Sequence, residues 1–126
     1  MSTASTITRP QSTRMTAIGL VIAAAGVLAI IPVRAGQDAG FALVVGPLLL
    51  LSAGLVWRYG LVRRYGLPAH IWAAVLGVLL VLMHGSYAIV GFSDGGELRI
   101  VLLDVAIAVG AAVALFGAAS YIAGRR

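Results

Sequence analysis

The sequence predicts an all-α integral membrane fold: four antiparallel transmembrane helices in an up-down-up-down bundle, with both termini cytoplasmic. Three observations carry that expectation. Of 126 residues, 61% are hydrophobic and 10% are charged, against about 25% charged in ordinary soluble domains. Four apolar runs approach or exceed the roughly 20 residues that cross ~30 Å of hydrocarbon. The charges fall between those runs and divide unequally between the two sides. So few charges cannot cover a water-soluble globule, which argues against a soluble enzyme, a nucleic-acid-binding domain or a disordered chain. Helices are expected rather than barrel strands, which would be ~10 residues long and alternating in character. A helix in lipid also satisfies its own backbone polar groups.

Residues 1–14, MSTASTITRPQSTR, are polar and read as a disordered cytoplasmic tail. The four-helix transmembrane domain then occupies residues 15–126. Its first helix is expected over Met15 to Val33. Its apolar run is longer than the ~7–15-residue core of a signal peptide. We therefore expect it to be retained, although Val33-Arg34-Ala35 offers a cleavage site whose use would leave three spans. The second helix, Phe41 to Trp57, is short and carries Pro47. The third runs from Ala69 to Phe92, with Pro68 at its start, and the fourth from Leu98 to Ile122. Loops at Arg34 to Gly40, Arg58 to Leu67 and Ser93 to Glu97 are short, the last turning at Gly95-Gly96. Short loops make neighbouring helices antiparallel.

The charges orient this bundle. All nine basic residues are Arg, a usage that suggests a GC-rich prokaryotic genome. With four spans, Arg9, Arg14, Arg58, Arg63, Arg64, Arg125 and Arg126 share one side, and Arg34 and Arg99 lie on the other. That bias places the first group in the cytoplasm. Asp38, Asp94, Glu97 and Asp104 all fall in the outer half. The net charge of +5 thus records orientation in a cell membrane, and no nucleic-acid partner is expected. Trp57, Arg58, Tyr59, Arg63, Arg64, Tyr65 and Trp72 read as inner-interface anchors, because rings with a polar edge favour the headgroup level. The loop between the second and third helices also repeats itself, Arg58-Tyr59-Gly60-Leu61 and then Arg64-Tyr65-Gly66-Leu67. Such a patch suits topology anchoring or contact with anionic lipid. The chain has no Cys, so disulfides and thiolate chemistry are ruled out.

Helices in lipid pair through close packing, which small residues permit. Ala106, Gly110, Ala114 and Ala118 recur every four residues on one face of the fourth helix. Gly19 and Ala23, Ala42 and Gly46, and Ala73 and Gly77 offer shorter versions on the other three. The fourth-helix stripe serves either packing within the bundle or an interface with a partner or a second copy.

Ionisable groups inside a span are costly and are candidates for function. His84 lies 11 residues before Gly95 and Asp104 nine after it. At ~1.5 Å per residue they sit at similar depth, and neighbouring antiparallel helices would let them meet. Tyr87, three residues after His84, shares its face. The pair reads either as a polar clamp setting the hairpin register or as a proton or cation site. His70 is expected at the inner interface beside Trp72 and Arg64.

The 14-residue spacing of His70 and His84 brings them to nearly one face, ~21 Å apart. This spacing resembles that of the axial ligands on a helix of membrane di-haem cytochromes b. The resemblance covers one helix and two residues. It implies haem ligation only in a dimer, since the chain has two His in all. No cofactor, metal or catalytic residue is expected. Small multidrug transporters have this size and span count, but they need a glutamate in the first helix, which here has no acid. The signature of the fluoride channels is also absent.

The leading expectation is a non-enzymatic accessory, assembly or scaffold subunit, in contact with membrane lipids and with a membrane protein partner or further copies of itself. The alternative is a small proton-coupled transporter or channel using His84 and Asp104.

Overall fold

The computed structural model describes residues 8–33 and 39–124. The described chain is helical: α1 Arg9–Val33, α2 Ala39–Tyr59, α3 Gly66–Ser93 and α4 Leu98–Gly124. Each is long and apolar enough to cross a membrane. Their outward faces carry exposed Leu43, Val44, Leu51, Leu82, Ile89 and Phe92. An apolar surface of that extent is a liability in water, whereas hydrocarbon accepts it, so the bundle is compatible with a multi-pass membrane protein.

α1 begins six residues before the predicted boundary. Residues 9–14, expected in the tail, are therefore helical; residues 1–7 lie outside the described residues. Local chemistry explains the earlier start. The Thr8 backbone N–H donates to Gln11 Oε1 at 2.9 Å, and the Gln11 N–H donates to Thr8 Oγ1 at 3.3 Å. This reciprocal capping box satisfies two backbone donors that a helix start leaves free. Ser12, Thr13 and Thr16 then face inward and are buried. The Thr16 hydroxyl donates to the Ser12 carbonyl at 2.7 Å, so a polar turn enters the core with its hydroxyl satisfied.

α3 starts at Gly66, with Pro68 in its first turn, where a missing N–H costs nothing. It ends in a Schellman turn. Gly96 N–H donates to the Gly91 carbonyl at 2.7 Å, and Gly95 takes φ +70°, which a residue without Cβ adopts freely.

The core forms where α1 packs along α4, α3 packs on α4, and α2 packs on α1, while α2 and α3 meet sparsely. Its buried residues are mostly small: Ala17, Ala23, Ala24, Ala53, Ala73, Ala111, Ala114 and Ala118, with Leu20, Leu49, Val27 and Ile107 between them. Close backbone approach supplies the attraction. A Cβ on Gly110 would lie 2.7 Å from Ala23 N and 2.9 Å from Gly19 O. One on Gly19 would strike the backbone of Ala114 and Gly110. Gly110 and Ala114 of the α4 stripe are thus packed against α1, Ala118 is buried, and Ala106 is half-buried. An interface with a second copy through that stripe would require α1 to leave. Gly26 and Gly117 extend the seam, against Ile107 and against Ser12 and Thr16.

Candidate functional site

Two buried histidines mark the two ends of the bundle. At the end of the α2–α3 loop, His70 is fully buried between α1, α3 and α4. It is enclosed by the bundle, whereas Trp72 and Arg64, its expected neighbours, are exposed. Its Nδ1–H donates to the Gly66 carbonyl at 2.7 Å. A carbonyl only accepts, so this bond sets the tautomer and leaves Nε2 as acceptor for the Thr13 hydroxyl at 3.2 Å. The ring stacks on Tyr121, centroids 3.7 Å apart and 4° from parallel.

The repeated loop closes over this cluster through its glycines. A Cβ on Gly60 would meet Thr13 Cγ2 at 2.6 Å and His70 Cε1 at 3.1 Å, and one on Gly66 would strike the Tyr121 hydroxyl. Both His70 nitrogens are engaged, so no lone pair is free for a haem iron. The cytochrome-like spacing does not fit haem at this residue.

The expected anchors surround the same end. Trp57, Arg58, Arg63, Arg64, Tyr65 and Trp72 are exposed, and Tyr59 is half-buried. Tyr59 and Tyr65 meet edge to face at 5.6 Å, with the Arg58 guanidinium 5.5 Å from the Tyr59 ring. Trp72 Nε1–H donates to Ser52 Oγ at 2.9 Å, and Ser52 in turn donates to the Leu48 carbonyl at 2.8 Å. These bonds tie α3 to α2.

At the end of the α3–α4 turn, His84 and Asp104 come together. His84 Nδ1 lies 2.8 Å from Asp104 Oδ1. His84 is 2% exposed and Asp104 7%, so the pair is removed from solvent. With Nδ1–H donating to the carboxylate, the lone pair of the neutral ring is on Nε2. That nitrogen is buried and has no hydrogen-bond partner among the described residues. An unsatisfied buried polar atom costs about 1–3 kcal/mol, and in native structures it asks for an explanation.

The ring is held from two more sides. Tyr87 stands edge-on at 5.6 Å, and Phe41 of α2 lies 6.2 Å away, tilted by 50°. His84 and Asp104 line a partly open cavity of about 810 Å³, walled also by Ile30, Phe41, Tyr87, Glu97 and the Gly91–Gly96 turn. Ser86 reaches the same wall, but its hydroxyl is turned to the Leu82 carbonyl at 2.6 Å. Arg99, expected near the outer headgroups, ion-pairs with Glu97 through Nε at 2.8 Å. Arg34 and Asp38 lie outside the described residues.

Sequence reasoning singled out His84, Asp104 and Tyr87 but missed Phe41 and Glu97 as cavity walls. It also missed the Thr13–His70–Tyr121 cluster. The buried Ser12, Thr13 and Thr16, four and three apart on one face of α1, were its available signal. Comparison with protein-family models, with curated proteins and with solved structures finds no match.

Proposed function

We propose that the chain is a non-enzymatic, multi-pass membrane protein of antiparallel helices, with both termini cytoplasmic. In this reading it acts as an accessory subunit that holds a small hydrogen-bonding ligand at His84. One observation carries the proposal: the orphaned Nε2 of a buried histidine, oriented by Asp104, on the wall of an 810 Å³ cavity. A cavity of this size is typical of ligand sites. The carboxylate behind the ring orients it, and in the neutral ring it leaves Nε2 as an acceptor for a ligand's donor. The nearby Ser86 hydroxyl is engaged elsewhere, which favours binding over nucleophilic chemistry.

The test is purification of wild type and His84→Phe from native membranes in mild detergent, followed by mass spectrometry of the intact complexes. Wild type should carry a stoichiometric membrane protein partner and a small molecule, and the variant should lose the small molecule. A lone protomer without bound ligand would overturn the proposal.

A second reading, proton-coupled transport, is favoured by the pairing of two ionisable groups at membrane depth. Asp104, Tyr87 and Glu97 are the titratable neighbours of His84 on that cavity. In liposomes, His84→Ala should then abolish a flux driven by a pH gradient while the helical fold persists. An unchanged flux would remove this reading.

A further inference from the structure

We propose that the occupant of the His84 cavity is the head of a neutral, hydroxyl-bearing lipid whose apolar tail lies in the groove between α2 and α3. This rests on the ligand-binding reading above and names its chemistry. Three observations converge on it.

The first is a second hollow, of about 540 Å³, formed where α2 and α3 stand apart. Its walls include Leu48 and Leu49 of α2 and Leu76 and Leu79 of α3. It shares Phe41 and Met83 with the polar cavity, so the two hollows adjoin at these residues. From Phe41 to Leu48 the groove runs ~10 Å along α2, and its lining is apolar throughout. Flexible Leu and Met walls suit an alkyl or prenyl chain.

The second is the chemistry at the polar end. In the neutral ring that donates Nδ1–H to Asp104, Nε2 is an acceptor with no hydrogen-bond partner among the described residues, and the ring is flanked by Phe41 and Tyr87. A hydroxyl supplies the missing proton donor. A carbonyl or ether oxygen, being an acceptor itself, does not.

The third is charge. The ionisable acids on the cavity wall are Glu97 and Asp104, and among the described residues no arginine lines it. The Arg99 guanidinium is already engaged by Glu97. A phosphate head would face two carboxylates without a cation, so the phosphate-bearing lipids of the surrounding bilayer are disfavoured and a neutral head is selected. The amphiphile thus follows the gradient of the site, from leucines to one buried acceptor.

The probe series is butanol, hexadecanol, hexadecyl methyl ether and phosphatidic acid, added to the full chain in nanodiscs. The readout is the 15N resonance of His84 Nε2, assigned by its loss in His84→Gln; with two His in the chain the spectrum is simple. Hexadecanol should move the resonance at concentrations at least tenfold below butanol, and the methyl ether should not move it. Leu79→Trp, a substitution on an exposed groove residue, should remove the chain-length advantage while leaving the response to butanol. Equal response to butanol and hexadecanol would overturn the tail assignment and leave the head site standing. Response to the ether equal to that of the alcohol, or displacement of hexadecanol by phosphatidic acid, would overturn the hydroxyl or neutral assignment. Silence toward every alcohol would overturn both this inference and the ligand-binding reading.

Discussion

His84 of α3 and Asp104 of α4 meet through a 2.8 Å contact between Nδ1 and Oδ1, 20 residues apart in the chain. The bond spans the hairpin built on the Gly95 turn and does two things at once. It ties α3 to α4, and it leaves the far nitrogen of the ring buried and without a partner among the described residues.

That arrangement predicts an ordering of substitutions at Asp104. Asn keeps an acceptor for Nδ1–H and should preserve the ring's tautomer. Leu removes it, leaving both ring nitrogens unsatisfied, at a cost of about 1–3 kcal/mol. Thermal unfolding in detergent should therefore rank wild type and Asp104→Asn above Asp104→Leu. Equal stability of the Asn and Leu variants would mean that the bond contributes nothing to the hairpin.

At the opposite end, Thr13→Val keeps the side-chain shape but withdraws the hydroxyl from His70 Nε2. The deprived acceptor is fully enclosed, so a loss of about 1–3 kcal/mol is expected. In a His70→Phe background the same substitution should cost much less, since no lone pair then awaits a donor. A double-mutant cycle measured by unfolding checks this coupling.

Glycines separate into two classes by what lies against them. Gly110→Leu drives a side chain into the α1 backbone at Ala23 and Gly19. Overpacking typically costs 1–3 kcal/mol, occasionally more, and here the obstacle is backbone that cannot rotate away. Gly85 has nothing within 4 Å of an added Cβ. Gly85→Ala should be neutral or stabilising by up to about 1 kcal/mol, because Ala loses less freedom in a helix. Limited proteolysis and melting of the two variants would show the contrast; equal tolerance at both positions would contradict the α1–α4 seam.

The capping box at the start of α1 gives a local prediction. Thr8→Ala removes the side-chain acceptor of the Gln11 N–H and should cost about 1 kcal/mol. Hydrogen exchange should quicken over the first turn of α1 and stay unchanged at Gly110 and beyond. Protection unaffected at Gln11 would show that the turn is held from elsewhere.

The proposed orientation is tested without reference to the site. A reporter fused after Arg126 should score cytoplasmic, because the arginine-rich ends and the α2–α3 loop are drawn to that side. An external signal would reverse the topology.

Composition and hydropathy by themselves determined that this chain makes four helices of membrane-spanning length, and roughly where they lie. Gly95-Gly96 was legible as the α3–α4 turn, and counting outward from it put His84 and Asp104 at one depth. Those are local properties: length, apolar run, turn residue, rise per residue. The helix ends were less legible. The capping residues Thr8 and Gln11 sit in a polar stretch that hydropathy discards, and α1 starts at Arg9.

Which faces turn inward was decided only by tertiary structure. In water a helix announces its buried face by apolar periodicity, but in a bilayer lipid-facing and core-facing residues are both apolar. The choice then passes to fit between small side chains. That fit sets Gly110 and Ala114 against Gly19, and it takes the α4 stripe into the bundle. It also carries His70 inward among Thr13, Gly66 and Tyr121, and leaves α2 and α3 apart. The groove that results, and the cavity beside it at His84, exist because four helices of unequal packing surfaces cannot all close on one another.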